Sequence, residues 1–180
     1  MKETLLIKNF TKQKVSQKYL NKIAEKTLEI MKFKKPAEIS LVIVGDQRIK
    51  TLNKKYRGKN KITDVLSFGM LENKSDAART AETSLCSLLA KEGKSPAEAG
   101  KKNKKIKFIS PKEKAFLGEI FICYPQAARQ AKGRSIKKEI TALLIHSILH
   151  LLGYNHHKKS ETAKMKQKEK AVYSFCLKEN

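Results

Sequence analysis

The chain carries four histidines, and all of them fall within residues 146–157. His146 and His150 are four residues apart in a stretch, 137–152, that reads as helix, so both imidazoles project from one face about a turn apart. Gly153 then breaks the helix and lets the chain double back, which can bring His156 alongside the first two. Three neutral imidazoles converging from a helix and the following turn suit Zn2+, one ion per chain. Such a site leaves a coordination position open, the arrangement of catalytic zinc, and a water bound there would have its pKa lowered to about 7. The competing reading is that these side chains only cap and pack a helix end. Three of them at H-x-x-x-H-x-x-G-x-x-H, with none elsewhere but the adjacent His157, weigh against it. His157 is expected to be exposed, and its exchange with His156 as the third ligand stays open.

The same spacing occurs in metzincin proteases, H-E-x-x-H-x-x-G-x-x-H. A protease needs Glu at the second position to take a proton from the zinc water. This chain has Ser147, which cannot do so at neutral pH, and Met165 sits in a Lys-rich helical pattern with no evident Met-turn. A zinc protease is therefore the runner-up, and it fails on chemistry.

The elements that must hold these residues are legible in outline. Residues 16–32 read as an amphipathic helix with Ser16 as N-cap and a stripe of Leu20, Ile23, Ala24, Thr27, Leu28 and Met31. Residues 38–44, EISLVIV, read as a strand. Asp46 is expected to cap a second helix over 47–55, with Ile49 and Leu52 inward. VLSF at 65–68 reads as a strand. LGEIFIC at 117–123 reads as another, apolar enough to be central. A short helix follows from Pro125, and a last one spans 159–177 with Ala163, Met165, Ala171, Val172 and Phe175 on its apolar side. Residues 71–114 break this order. They are biased to Ser, Ala, Gly and Lys, with one short helical candidate at 84–91, and read as a long flexible insert. The expected fold is α+β (mixed α/β): one domain over 1–180, with a small mixed sheet of about four strands flanked by helices.

Composition narrows the function. In 180 residues, 40 Lys and Arg face 17 Asp and Glu, a net charge of +23. The excess is spread along the chain and is expected of proteins that meet polyanions. Runs at 54–61, 101–107 and 158–170 could form a cationic groove for RNA, or could be solvated faces. No apolar run approaches the roughly 20 residues of a membrane span, and MKETLLIKNFTKQKV lacks the apolar core of a signal peptide. Three scattered cysteines, Cys86, Cys123 and Cys176, fit a reduced cytoplasmic protein.

Three blocks resemble the YbeY family of single-strand-specific endoribonucleases. ITALLIHSILHLLGYNH is similar to that family's H-G-x-L-H-L-x-G-Y-D-H segment. LNKKYRGKNKITDVLSF is similar to its L-N-x-x-Y-R-x-x-x-x-x-T-D-V-L-S-F, and LGEIFIC to its L-G-D-I-x-I-S. The blocks come in the family's order, over about residues 1–70 and 115–177. The departures are Ser147 for Gly, Asn155 for Asp, Glu119 for Asp, Cys123 for Ser, and the insert. None removes an imidazole, but Asn155 removes a carboxylate beside the third ligand.

The resemblance implies a mixed α/β fold with His146, His150 and His156 holding a divalent metal in a basic cleft, and it singles out Arg57. A planar guanidinium can grip two phosphate oxygens, although a surface ion pair is the plainer role for Arg57. Thr63 and Asp64 are expected to cap the turn and brace Arg57 or its loop. Ser67 and Phe68 either line the cleft or pack the strand end, Tyr154 either stacks a base or joins the core, and Glu119 is expected to be paired structurally. The implied function is cleavage of single-stranded RNA in ribosomal RNA processing, at the 3′ end of 16S rRNA, and in ribosome quality control. The small ribosomal subunit is the implied partner, with no membrane and no DNA. A non-catalytic RNA-binding assembly factor with a structural metal is a further alternative.

Overall fold

The computed structural model describes residues 4–69, 115–154 and 159–178. Among the described residues, four strands form one sheet in the order β1-β2-β4-β3: β1 (Leu5–Asn9), β2 (Ala37–Val44), β3 (Val65–Gly69) and β4 (Ala115–Cys123). β1 is parallel to β2 and β2 to β4, while β3 runs antiparallel to β4. Five described helices surround the sheet: α1 (Gln17–Ile30), α2 (Asp46–Arg57), α3 (Tyr124–Ala131), α4 (Ile136–Leu151) and α5 (Lys159–Lys178). This is the mixed α+β architecture that the sequence predicts. The expected insert, 71–114, and the helical candidate at 84–91 lie outside the described residues.

Side-chain alternation along the strands sorts the core into two layers. Ile39, Leu41, Ile43, Ile120 and Ile122 point to one face, where α1, α4 and α5 cover them with Ile23, Leu144, Ile148 and Val172. Val42, Val44, Leu66, Phe121 and Cys123 point to the other, where α2 supplies Ile49 and Leu52. β2 and β4 are covered on both faces, so they are almost continuously apolar.

Several local expectations change. LLIKN is too short to show a period in the sequence, and it is parallel pairing with β2 that makes β1 a strand. Gly45, not Asp46, is the N-cap of α2, and Asp46 is its first helical residue. On α5 only Met165 and Val172 of the expected stripe are buried, joined by Cys176, while Ala163, Ala171 and Phe175 are exposed. Met165, Val172 and Cys176 are spaced seven and four apart, which keeps them on one helical face, whereas Ala163 and Met165 are half a turn apart. Ser16 does cap α1, its Oγ accepting from the Tyr19 amide at 3.3 Å.

Candidate functional site

α4 is held at both ends. The Ser135 side chain caps its start, accepting from the Lys138 amide at 3.4 Å. At its end the Gly153 amide donates to the His150 carbonyl at 2.9 Å and the Tyr154 amide to the Leu149 carbonyl at 3.0 Å. Gly153 sits at φ 87°, the left-handed conformation that this pair of bonds requires and that glycine adopts without strain. The helix thus stops just after the second histidine, and the chain turns away toward residues 155–158.

Between these ends Leu144, Ile145, Ile148 and Leu149 are buried, leaving His146 and His150 half-buried on the outer side. Their Nε2 atoms face each other at 3.1 Å, with the rings edge to face. Two imidazole nitrogens on a tetrahedral Zn2+, each about 2.0–2.1 Å from the ion, stand about 3.3 Å apart, so the observed separation fits a shared divalent cation. The Nδ1 of His146 lies 2.5 Å from the Glu169 Oε1 on α5. His156 and His157 lie outside the described residues, and among the described residues no three metal-ligating side chains form a cluster.

Arg57 is the last residue of α2 and is exposed. The loop after it is braced from inside: the buried Asn53 side chain donates to the Lys61 carbonyl at 2.8 Å, and the Lys59 amide donates to the Asn53 carbonyl at 3.2 Å. Gly58, at φ 68°, closes the helix. The Asp64 carboxylate accepts from the Val65 amide and the Thr63 hydroxyl, so these two residues do cap the turn into β3. α2 and α4 pack on opposite faces of the sheet, and β3 touches both. The arginine and the histidine pair are therefore related through β3, not through a shared helical layer.

Alternation along β3 places Ser67 on the α4 face and Phe68 on the α2 face. Phe68 packs between Tyr56 and Phe121, at ring distances of 5.4 and 5.9 Å, in the smaller core layer. Tyr154 packs against the larger core. Glu119 is buried in β4, on the α2 side. Gly118, paired with Gly69, has φ 140°, and a side-chain carbon there would collide with the Phe68 carbonyl and press on Leu151. That close approach seats the end of α4 against the β3–β4 pair. Ser147 is wholly buried, with its Oγ unpartnered among the described residues, so it faces the core and away from the imidazoles.

A second polar cluster lies at the other end of β4. Arg129 on α3 grips the Asp46 carboxylate with two bonds, at 2.7 and 3.0 Å. The Cys123 thiol donates to the same carboxylate at 3.3 Å. The Arg129 hydrogen bonds hold the Asp46 carboxyl below its ordinary range. Burial, helped by the neighbouring carboxylate, pushes the Cys123 thiol up to about 11, so it is neutral at physiological pH. Neither Asn53 nor Glu169 is singled out by the sequence alone: Asn53 lies inside the LNKKYRGKNKITDVLSF segment, and Glu169 lies midway along the buried stripe of α5.

The layered α+β fold defines a class of proteins built around a small mixed sheet, here with a facing pair of imidazoles at the end of a helix. Comparison with known families narrows this. The profile of the family described as Endoribonuclease YbeY matches residues 6–176. An Endoribonuclease YbeY of Dehalococcoides mccartyi is 39% identical over 92% of this chain and 84% of its own length. One from Thermodesulfovibrio yellowstonii is 35% identical over 87% of this chain and 79% of its own length. A solution structure of a Thermotoga maritima protein shares the fold, with a TM-score of 0.53 and 22% identity over 97% of this chain and 91% of that one. The chain belongs to the YbeY family.

Proposed function

We propose that this protein is a metal-dependent endoribonuclease that cuts single-stranded RNA during ribosomal RNA processing. The observation that carries the reading is the facing pair of Nε2 atoms, His146 and His150 at 3.1 Å, on a chain whose relatives are named endoribonucleases. His156 completes the set as third ligand of one Zn2+. A bound ion would act as a Lewis acid, acidifying water and drawing charge from a phosphoryl oxygen. Arg57 grips the non-bridging phosphate oxygens bidentately and offsets charge as it builds at phosphorus. The many surface lysines hold the RNA backbone, which the net charge of +23 supports. A water nucleophile is favoured over the RNA 2′-OH, because an ion held by three histidines would make hydroxide available near neutral pH. Maturation of the 16S rRNA 3′ end, quality control on the small ribosomal subunit and a cytoplasmic location go with this assignment. No described helix is long and apolar enough to cross a membrane.

The protease reading is not favoured: Ser147 is wholly buried and cannot serve as a base. Nor is the assembly-factor reading, since the relatives are named for a nuclease activity.

The test pairs metal analysis with cleavage of a single-stranded RNA, for the parent and for His150→Ala, His156→Ala and His157→Ala. The parent should carry one Zn2+ and cut RNA but not DNA. His150→Ala and His156→Ala should lose both metal and cleavage, while His157→Ala keeps them. Products ending in 5′-phosphate and 3′-OH would support attack by water, and a 2′,3′-cyclic phosphate would show attack by the 2′-OH. Full metal in His156→Ala would remove the third ligand from the scheme, and DNA cleavage at a comparable rate would overturn the RNA assignment.

A further inference from the structure

The stripe by which α5 packs into the core has a carboxylate inside it. Met165, Val172 and Cys176 are 2%, 0% and 3% exposed. Glu169 lies four residues after the first and three before the second, so helical spacing puts it on the same side. Its neighbours Lys166, Lys168 and Lys170 are exposed. A carboxylate drawn toward a helix–helix contact costs stability unless it is paired. Here the partner is the Nδ1 of His146 at 2.5 Å, and both side chains are about two-thirds shielded, at 29% and 34% exposure.

That contact determines which His146 nitrogen carries the proton. A carboxylate only accepts hydrogen bonds, so Nδ1 must hold the N–H. A neutral imidazole has a single N–H, so Nε2 is the unprotonated nitrogen, and Nε2 is the atom turned toward His150. We propose that Glu169 is a positioning residue of the metal centre: it locks the tautomer and ring orientation of His146 and so strengthens divalent-cation binding. α5 thereby serves the site as well as the core. The inference rests on the metal reading above, but its readouts do not involve RNA cleavage.

The test uses the full chain stripped of metal. Zn2+ affinity is measured by competition with a chromophoric chelator, and the His146 tautomer is read from ring 15N shifts, for the parent, Glu169→Gln, Glu169→Ala and Glu169→Met. The parent should bind Zn2+ and show the Nδ1–H form. Glu169→Ala should weaken Zn2+ binding by about 10- to 100-fold and mix the two tautomers. Glu169→Met keeps the volume but lacks the acceptor, so it carries the same expectation should the alanine variant fail to fold. Glu169→Gln keeps a carbonyl acceptor and should restore much of the affinity and the parent tautomer. A role limited to helix packing would lower the melting temperature and move neither readout. Parent-like affinity and unchanged ring shifts in Glu169→Met overturn the inference alone. A parent that binds no Zn2+ overturns the metal reading along with it.

Discussion

Arg57 shows how chemistry and packing divide at the level of single residues. It is exposed at the end of α2, while the loop behind it is held by Asn53 from the interior. Removing the guanidinium should therefore leave the fold intact and affect only what it touches. Arg57→Ala is expected to cut RNA on the order of a hundredfold or more slowly, the usual loss for one preorganised charge-stabilising donor. Metal content and melting temperature should match the parent. Arg57→Lys should rescue poorly, because an ammonium cannot make the two-pronged contact. Single-turnover cleavage decides the matter, and a near-parent rate in Arg57→Ala would take Arg57 out of the mechanism.

Between elements, α2 and α3 are clipped together at the end of the sheet by Asp46 and Arg129. Because Arg129 lowers the folded-state pKa of Asp46 below its usual 3.8, the folded protein holds the ionised carboxylate more firmly than the unfolded chain does. The stabilisation is present above the unfolded pKa and is lost as pH falls through the folded one. It is modest, since the Arg129 side chain is half exposed and screened by solvent. Urea denaturation of the parent should show stability falling as pH drops below about 4. In Arg129→Met this part of the acid-side slope should flatten, while stability near neutral pH declines only slightly. An identical pH dependence in the two proteins would show that the clip contributes nothing to folding.

Over the whole molecule, the described strands on either side of residues 71–114 pair directly with each other. β3 ends at Gly69, β4 begins at Ala115, and the two strands already pair in antiparallel register from Val65↔Ile122 to Gly69↔Gly118. Neighbouring antiparallel strands need only a short connection. Replacing 71–114 with a short Gly/Ser loop is therefore expected to keep the melting temperature within a few degrees, since closure entropy varies slowly with loop length. Scanning calorimetry of the shortened protein checks this. A large loss of stability would mean that the 84–91 segment belongs to the core.

The sequence alone was enough to place His146 and His150 on one face, to stop their helix at Gly153, and to make 117–123 a central strand. Each depends on neighbours within a turn or on a short apolar run, where chain geometry leaves few choices. The family resemblance rested on the same local blocks. Tertiary structure decided what joins distant segments. Glu169 meets His146 across 23 residues of sequence, and Asp46 meets Arg129 across 83. Leu5–Asn9 becomes a strand only through its pairing with β2. The placement of Arg57 and the histidine pair on opposite faces, joined by β3, follows from strand order. Such pairings are settled by which apolar faces bury each other, and periodicity within one segment carries no record of the partner it will meet.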